Sequence, residues 1–475
     1  MKENAFKSES AVQNPLAFLP VKSLMLKMGI PMILSMALQA VYNIVDSAFV
    51  SNMAEGGEMA LNALTLAFPV QILMVAVGIG TGVGANVFVS RTLGQGKRVK
   101  AGKIAGNGIF LCALIYLLFL VFALFGVGFY INSQTANEEI ALMATDYLTI
   151  CCVYSFGIVF FSIFEKLLQS TGLSLFSTIA QVGGAVANMI LDPILIYGLL
   201  GCPALGVKGA AWATVIGQVL SFLLGAFFHF KKNRAIPFDF RFLKPDFKII
   251  AVIYSIGLPA IIAQALMSIM TYGLNIIFVQ LGEDVVTAYG LYYKIQQFIL
   301  FAAFGLRDAI MPIVAFNFGM KNQERVSAGI KYGILYTLAI MLLGLALLEA
   351  FAQPFSAVFG LTGHTQSLCV SAMRLISLSF VFAGANIALQ GVFQALGNGL
   401  ASLVISLLRQ LFLVLPPAYF LMTLALSLEN SEWLVWLTFL FAESLSFVVA
   451  VILFRRQGFH VRKVFGIHIL SFKHF

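Results

Sequence analysis

Long stretches of the chain are almost free of charge, and this feature limits its fold more than any other. Between Lys27 and Glu55 the only charged residue is Asp46, and similar runs recur along the sequence. Because every backbone polar group in lipid needs an internal partner, such runs cross bilayers as helices of about 20 residues. Charged residues make up 10% of the chain, against roughly a quarter in soluble domains. We therefore expect an all-α integral membrane protein.

Apolar runs separated by loop residues predict twelve transmembrane helices. Their expected ranges are 28–52, 60–90, 104–131, 141–165, 174–199, 205–229, 249–281, 286–316, 329–355, 366–395, 400–426 and 433–454.

The loops between these helices alternate in charge. Those at 91–103, 230–248, 321–331 and 455–463 are basic, whereas the alternate loops carry acidic residues, with Lys208 as the exception. Basic loops stay in the cytoplasm, so the pattern predicts cytoplasmic termini, an even number of spans and a place in the cell (plasma or inner) membrane. The net charge of +9 thus indicates orientation in the bilayer, and no nucleic-acid partner is expected.

The second half of the chain repeats the first. Matching segments are GIP at 29–31 with GLP at 257–259, RVKAG at 98–102 with RVSAG at 325–329, QSTG at 169–172 with QALG at 394–397, and Gln71, Gly80 and Gly94 with Gln296, Gly305 and Gly319. Each half then holds six spans and enters from the same side, as in transporters built from parallel repeats. The predicted divisions are an N-terminal tail 1–27, a first lobe 28–229, a loop 230–248, a second lobe 249–454 and a C-terminal tail 455–475.

Polar side chains form one stripe on the first predicted helix. Gln39, Tyr42, Asn43 and Asp46 are spaced at i, i+3, i+4 and i+7, so they share a face. A carboxylate at membrane depth is costly and is a candidate functional group, although a structural hydrogen bond to a neighbouring helix is the alternative. The same stripe continues upstream through methionines, which either form an adaptable ligand wall or simply pack; they are Met25, Met28, Met32 and Met36.

A second isolated aspartate lies in the fifth predicted helix. Asp192 is the only charged residue between Lys166 and Lys208, with Asn188 one turn before it and Pro193 after it. Its expected depth, in the outer half of the membrane, is similar to that of Asp46. Two carboxylates that face one cavity disfavour double ionisation, so one of them could carry a proton. Thr214 and Gln218, four residues apart, could add a polar wall from the sixth helix.

No enzymatic or cofactor motif is present in the sequence. GIGTGVGA at 78–85 lies within a predicted membrane helix without a preceding strand, which favours close helix packing over nucleotide binding. Walker, HExxH and GxSxG patterns are absent, and the five cysteines show no metal spacing. We therefore expect neither an enzyme nor a cofactor. Most other charges at membrane depth are expected to have structural roles: Arg307, Asp308, Glu349, Arg374, Arg409 and Glu443. Lys294 is open to either a structural or a functional interpretation.

Several motifs together resemble the MATE (multidrug and toxic compound extrusion) family. They are GIP…Q…VD at 29–46, N-x-x-x-D-P at 188–193, RTLGQGK at 91–97 and GLYYKIQQF at 290–298. The resemblance covers about residues 20–456 and implies a V-shaped pair of six-helix bundles. It implies export of amphipathic, mostly cationic compounds in exchange for H⁺ or Na⁺.

The same resemblance implies a cation site in the first lobe. It would be formed by Asp46, Asp192, Gln39, Asn188 and Thr214, joined in some members by a fourth-helix tyrosine, which is either Tyr147 or Tyr154. Helices 249–281 and 366–395 lack acidic residues, which argues against a carboxylate sodium site in the second lobe. Candidate substrate contacts are Met36, Tyr42, Asn43, Tyr154, Gln181, Gln264 and Asn275.

We interpret the chain as a monomeric, ion-coupled antiporter that exports amphipathic cations, with protons favoured over Na⁺. A flippase for lipid-linked, anionic cargo on the same fold is the main alternative, and a channel or a membrane enzyme are further ones. The isolated acidic residues favour cationic cargo. Residues 457–475 are basic and apolar, and they form either a short helix at the inner membrane surface or an unstructured tail.

The topology can be checked by labelling. A cysteine introduced at Lys232 should not react with membrane-impermeant thiol reagents in intact cells, because the loop 230–248 is expected to be cytoplasmic. Ready labelling from outside would contradict the orientation.

Overall fold

The computed structural model describes residues 14–53, 56–358, 361–429 and 431–458, without the side chains of Asn43 and Val358. Over these ranges the chain is helical and contains no strand. Residues 1–13 of the N-terminal tail and nearly all of 457–475 lie outside the described residues, as does the side chain of the predicted substrate contact Asn43.

Six spans come from the first half of the chain. Their bounds are Val21–Ser51, Gly57–Gly94, Arg98–Phe125, the bent fourth span Glu138–Val153 with Phe156–Gln169, Ser174–Tyr197 and Val207–Lys232. Short helical segments between or beside them are Pro15–Phe18, Val127–Asn132, Leu199–Gly201 and Phe240–Leu243. The fourth span begins at a capped end, where Asn137 Oδ1 accepts hydrogen bonds from the N–H groups of Glu139 and Ile140.

The second half also supplies six spans. The seventh, eighth and ninth spans are Phe247–Phe278, Glu283–Gly319 and Gln323–Val358. The tenth span is bent and consists of Gly363–Ser377 and Phe380–Ala395. The eleventh consists of Gly399–Leu407 and Leu415–Leu426, joined by the π-helical turn Leu408–Phe412, and the twelfth is Leu437–Arg456. Single turns of 3₁₀ helix precede the eighth and twelfth spans, at Val279–Leu281 and Glu432–Trp436. In the described chain ten helices are long and apolar enough to cross a membrane, and two bent pairs bring the total to twelve. The prediction of a twelve-helix, all-α membrane protein is confirmed.

The two bent spans show the internal repeat in three dimensions. The fourth span bends by 45° after Val153, and the tenth bends by 51° after Ser377, at the corresponding place in its half. At the second bend Ser379 Oγ donates a hydrogen bond of 2.7 Å to the carbonyl of Ile376, which competes with the helical ladder. The sequence predicts a continuous helix at each of these two places, because neither a proline nor a glycine pair marks the break.

The chain forms two compact units, each with its own buried apolar core. One unit is built mainly from Leu34–Ile261, and the other from Leu19–Ile33 together with residues from Ile262 onward. Each unit therefore takes the beginning of one long span from the other half of the sequence. The lobes predicted at 28–229 and 249–454 remain a proposal for the domain division.

A cation that is fully or mostly shielded from solvent occupies corresponding places in the two halves but comes from different helices. In the first half Lys166, on the fourth span, packs its stem against Gly82 of the second span, where an added Cβ would lie 2.8 Å from Lys166 Cγ. In the second half Arg307, 225 positions after Gly82, packs against Gly391, 225 positions after Lys166. Each cation is balanced by the acidic residue next to it, Glu165 at 3.6 Å and Asp308 at 2.9 Å.

The fifth and sixth spans approach each other closely at two glycines. A Cβ at Gly184 would lie 2.3 Å from the carbonyl oxygen of Gly217, and one at Gly217 would lie 2.6 Å from that of Gly184. Small residues allow this kind of backbone contact between membrane helices. The contact places Asn188, one turn beyond Gly184, against the sixth span.

The variant Gly184→Ala tests this contact. Because the new methyl group would overlap a backbone oxygen, we expect a loss of about 1–3 kcal/mol of stability, measured as a lower thermal unfolding midpoint in detergent. Gly183→Ala is the matched control, because its Cβ would meet only a leucine methyl at 3.0 Å. Equal midpoints for the two variants would contradict the role of the glycine contact.

Candidate functional site

A small cavity with both polar and apolar walls lies in the first unit, among the first, fourth, fifth and sixth spans. Its volume is about 60 Å³. The polar side chains that line it are Ser35, Gln39, Tyr42, Gln181, Asn188, Thr214, Gln218 and Ser221. A cavity of this size holds a few water molecules or a small ion, whereas drug-sized ligands need about 300–1,000 Å³. In this conformation the cavity therefore fits an ion and its waters.

Hydrogen bonds join the first and fifth spans at one end of the cavity. Gln181 Nε2 donates to Gln39 Oε1 at 3.1 Å, and Ser35 Oγ donates to Gln181 Oε1. The two glutamines were predicted separately, Gln39 for ion coupling and Gln181 for substrate binding. The structure brings them together as one inter-helix link.

Asn188, on the cavity wall, contacts Asp192, whose side chain is fully buried. Asn188 Nδ2 donates to Asp192 Oδ1 at 3.3 Å and to Thr214 Oγ1 at 3.5 Å. Asp192 Oδ2 and Asn188 Oδ1 are buried without a hydrogen-bond partner in the described structure. Buried acceptors are nearly always satisfied in proteins, so these oxygens call for a donor or a cation.

Asp46 lies near this group. Its carboxylate is close enough to Asp192 for electrostatic repulsion, and Asp46 Oδ1 is also buried without a partner among the described residues. Tyr42 lies within the electrostatic reach of both aspartates. Tyr42 and Asn188 line the cavity, whereas neither carboxylate does. The structure thus brings Asp46 and Asp192 within electrostatic reach of each other, but it does not place them on the cavity wall.

The structure places the two candidate tyrosines of the fourth span in different surroundings. Tyr147 is buried, interacts electrostatically with Asp46 and accepts a hydrogen bond of 3.1 Å from Gln71 Nε2. Tyr154, at the bend of the span, instead packs its ring at a tilt against Trp212, with 5.0 Å between the ring centroids. Tyr147 is thus the tyrosine that accompanies the carboxylates. Gln71 was not predicted as part of the site, although it is a polar residue in an apolar helix.

Other predicted contacts lie elsewhere. Gln264 and Asn275 belong to the second unit, and both side chains are exposed. Met36 is half-buried and does not line the cavity. The remaining methionines of the stripe are almost fully buried, as ordinary packing requires: Met25, Met28 and Met32.

Charges at membrane depth in the second unit are mostly paired. Arg409, on the π-helical turn, contacts Glu443 at 2.7 Å, and Asn386 Nδ2 donates to Glu443 Oε2 at 2.8 Å. Arg307 contacts Asp308 at 2.9 Å. The first pair links two helices, and the second neutralises two charges on one helix. Both fit the structural roles expected for these residues. Within the described ranges, no group of three or more His, Cys, Asp or Glu residues could hold a metal ion.

The sequence profile of the MatE family matches residues 31–194 and 259–420 of the chain, once in each half. The chain belongs to the MatE family. It is a multi-pass membrane transporter by this membership and by its apolar helices. The two matches, one in each half, agree with the internal repeat seen in the sequence.

Named relatives and solved structures resemble more than nine-tenths of the chain. The multidrug export protein MepA of Staphylococcus aureus (strain NCTC 8325 / PS 47) is 27% identical over 454 residues, which cover 91% of this chain and 93% of the relative. A multidrug resistance MATE family transporter of the MOP superfamily, solved in an outward-facing conformation, matches with a TM-score of 0.85 at 24% identity, covering 94% of this chain and 97% of the other.

A third relative shows that the same fold carries different pockets. A MOP superfamily transporter from Pyrococcus furiosus Vc1 matches with a TM-score of 0.85 at 25% identity over 93% of this chain and 97% of the other. Reverse polarity of its binding pocket suggests a different function for that protein.

The hydrogen-bonded link at the cavity can be tested with Gln181→Leu. Loss of two inter-helix hydrogen bonds should cost about 1–2 kcal/mol and lower the thermal unfolding midpoint of the purified protein. Gln218→Leu is the matched control, since Gln218 lines the same cavity and no hydrogen bond of its side chain is seen in the described structure. An equal loss in both variants would show that the link contributes nothing specific.

Proposed function

We propose that the chain is a proton-coupled antiporter that exports amphipathic, mostly cationic compounds across the cell membrane. The observation that carries this proposal is the group of buried oxygens without donors, on Asp46, Asp192 and Asn188. Membership in the MatE family and the export names of its relatives support the general activity. Proton coupling and the preference for cationic cargo are argued from the site itself.

A proton on one of the two aspartates removes the difficulty of this arrangement. Two ionised carboxylates within reach of each other, away from water, repel, and each keeps an unsatisfied oxygen. One bound proton cancels a charge and supplies the missing donor. The small cavity that Asn188 lines can hold the few waters that carry the proton to or from the carboxylates.

Proton release then creates the charge that drives exchange. When the carboxylates lose their proton, the first unit carries negative charge at membrane depth, which attracts an organic cation and disfavours an anion. Reprotonation from the other side of the membrane weakens that attraction and allows the cation to leave. An antiport cycle needs no further chemistry, since each ligand shifts the equilibrium between conformations by its differential affinity.

Two alternatives use the same fold. Na⁺ could bind the same oxygens, because carboxylate and amide oxygens are suitable ligands for a hard cation. A flippase for anionic, lipid-linked cargo would favour free positive charge at its cavity. The cavity walls here are neutral, and the charged residues behind them, Asp46 and Asp192, are acidic, which supports cationic cargo.

Asp46→Asn is the decisive variant. It fixes a neutral side chain at the coupling position, so exchange should be abolished while the protein stays folded, because a charge that is costly to bury has been removed. Export of a quaternary ammonium dye from vesicles, under an imposed pH gradient or an imposed Na⁺ gradient, measures this effect.

Asp146→Asn provides the matched control. Asp146 lies on the fourth span and pairs with Lys208 at 3.0 Å on the exposed surface, so its neutralisation should leave transport intact. Full export by Asp46→Asn, or transport driven by Na⁺ without any response to pH, would overturn proton coupling. Transport of anionic dyes alone would overturn the proposed cargo.

A further inference from the structure

The segment that joins the two halves, residues 230–248, is fixed to the third span; we call it the linker strap. Asn107 Nδ2 donates to the carbonyls of Phe242 at 3.3 Å and Lys244 at 3.4 Å, and Asn107 Oδ1 accepts from the N–H of Asp246 at 2.8 Å. A Cβ at Gly106 would lie only 2.4 Å from the carbonyl oxygen of Phe242. The strap is therefore an ordered surface whose inner side is closely packed.

The outer side of the strap presents four phenylalanines. Phe240 and Phe247 are 80% and 83% exposed, and Phe230 and Phe238 are also exposed. The ring of Phe238 contacts those of Phe230 and Phe240, each at 5.2 Å between centroids. Three of the four rings thus form a continuous row, and an apolar patch of this kind marks an interaction surface.

Positive charge surrounds this row. The strap contains six basic and two acidic residues. Hydrogen bonds from Arg241 hold the pKa of Asp239 below its usual value, so these two charges cancel. Asp246 accepts hydrogen bonds from the N–H groups of Lys248 and Ile249 at the start of the seventh span. The remaining basic side chains are exposed and form no ion pair in the described structure: Lys231, Lys232, Arg234, Lys244 and Lys248.

We propose that the linker strap binds the headgroups of anionic phospholipids, with its phenylalanines inserted into the boundary between headgroups and acyl chains. The strap connects two membrane spans, so it lies within reach of the bilayer surface. Lysine and arginine near an anionic surface are attracted to it, and aromatic rings beside them gain by leaving water. Exposed rings, and exposed cations that have no acidic partner in the described structure, together match this ligand.

A tryptophan in place of Phe240 reports on this contact. The F240W variant is reconstituted into phosphatidylcholine vesicles that contain increasing fractions of brominated phosphatidylglycerol or of brominated phosphatidylcholine. Fluorescence of the unsubstituted chain, which has three tryptophans, is subtracted. Half-maximal quenching should need about fivefold less brominated phosphatidylglycerol than brominated phosphatidylcholine.

Two charge variants on the F240W background decide whether the strap is responsible. Lys231→Gln, Lys244→Gln and Lys248→Gln together should make the two brominated lipids equally effective. The control, with Lys321→Gln, Arg455→Gln and Arg456→Gln, loses the same charge from exposed positions outside the strap and should keep the preference.

Equal quenching by the two lipids in F240W itself would overturn the proposal. So would a preference that survives in the strap variant, or one that the control loses to the same extent. Millimolar inorganic phosphate should leave the preference unchanged; if phosphate abolishes it, the strap is a site for soluble anions and the proposed membrane contact is wrong.

Discussion

The close contact between the fifth and sixth spans at Gly184 and Gly217 determines the geometry of the site. Because the two backbones nearly touch there, the Asn188 amide reaches Thr214 on the sixth span while it also donates to Asp192, one turn along its own helix. A larger side chain at either glycine would separate the helices and break the link from Asn188 to Thr214. Packing in lipid lacks a hydrophobic driving force between helices, so such short-range contacts have to supply the specificity.

Asp46 and Asp192 in the first unit differ from the acidic residues of the ion pairs in the second unit, because each has a buried oxygen that accepts no hydrogen bond in the described structure. Glu443 accepts several hydrogen bonds from Arg409 and Asn386, so its charge is compensated within the structure. Asp46 and Asp192 have no comparable cation beside them in the described residues, and both keep an oxygen without a partner. A compensated charge can stabilise a helix contact, whereas an uncompensated one is ready to exchange a ligand.

Local periodicity was sufficient to predict the helices and the polar face of the first span. The spacing of Gln39, Tyr42 and Asp46 placed them together, and the isolation of Asp192 in an apolar run identified the second acid. The bond between Gln39 and Gln181 could not be predicted, because it joins residues 142 positions apart through the packing of two helices. The same is true of Gln71 and Tyr147, and the bends at Val153 and Ser377 depend on side-chain and turn hydrogen bonds that leave no mark in hydropathy.

The exchange of cation and glycine between the repeats bears on how the two halves diverged. Aligned position by position, Gly82 with Arg307 and Lys166 with Gly391 count as two mismatches. Considered as contacts, they are the same pair with its partners interchanged, since a long basic stem fills the space that a glycine leaves on the facing helix. Either replacement alone would have produced a clash or an empty space, so the two changes are coupled. The two halves are consequently more similar in the side-chain volumes and charges at these positions than in their amino-acid sequences.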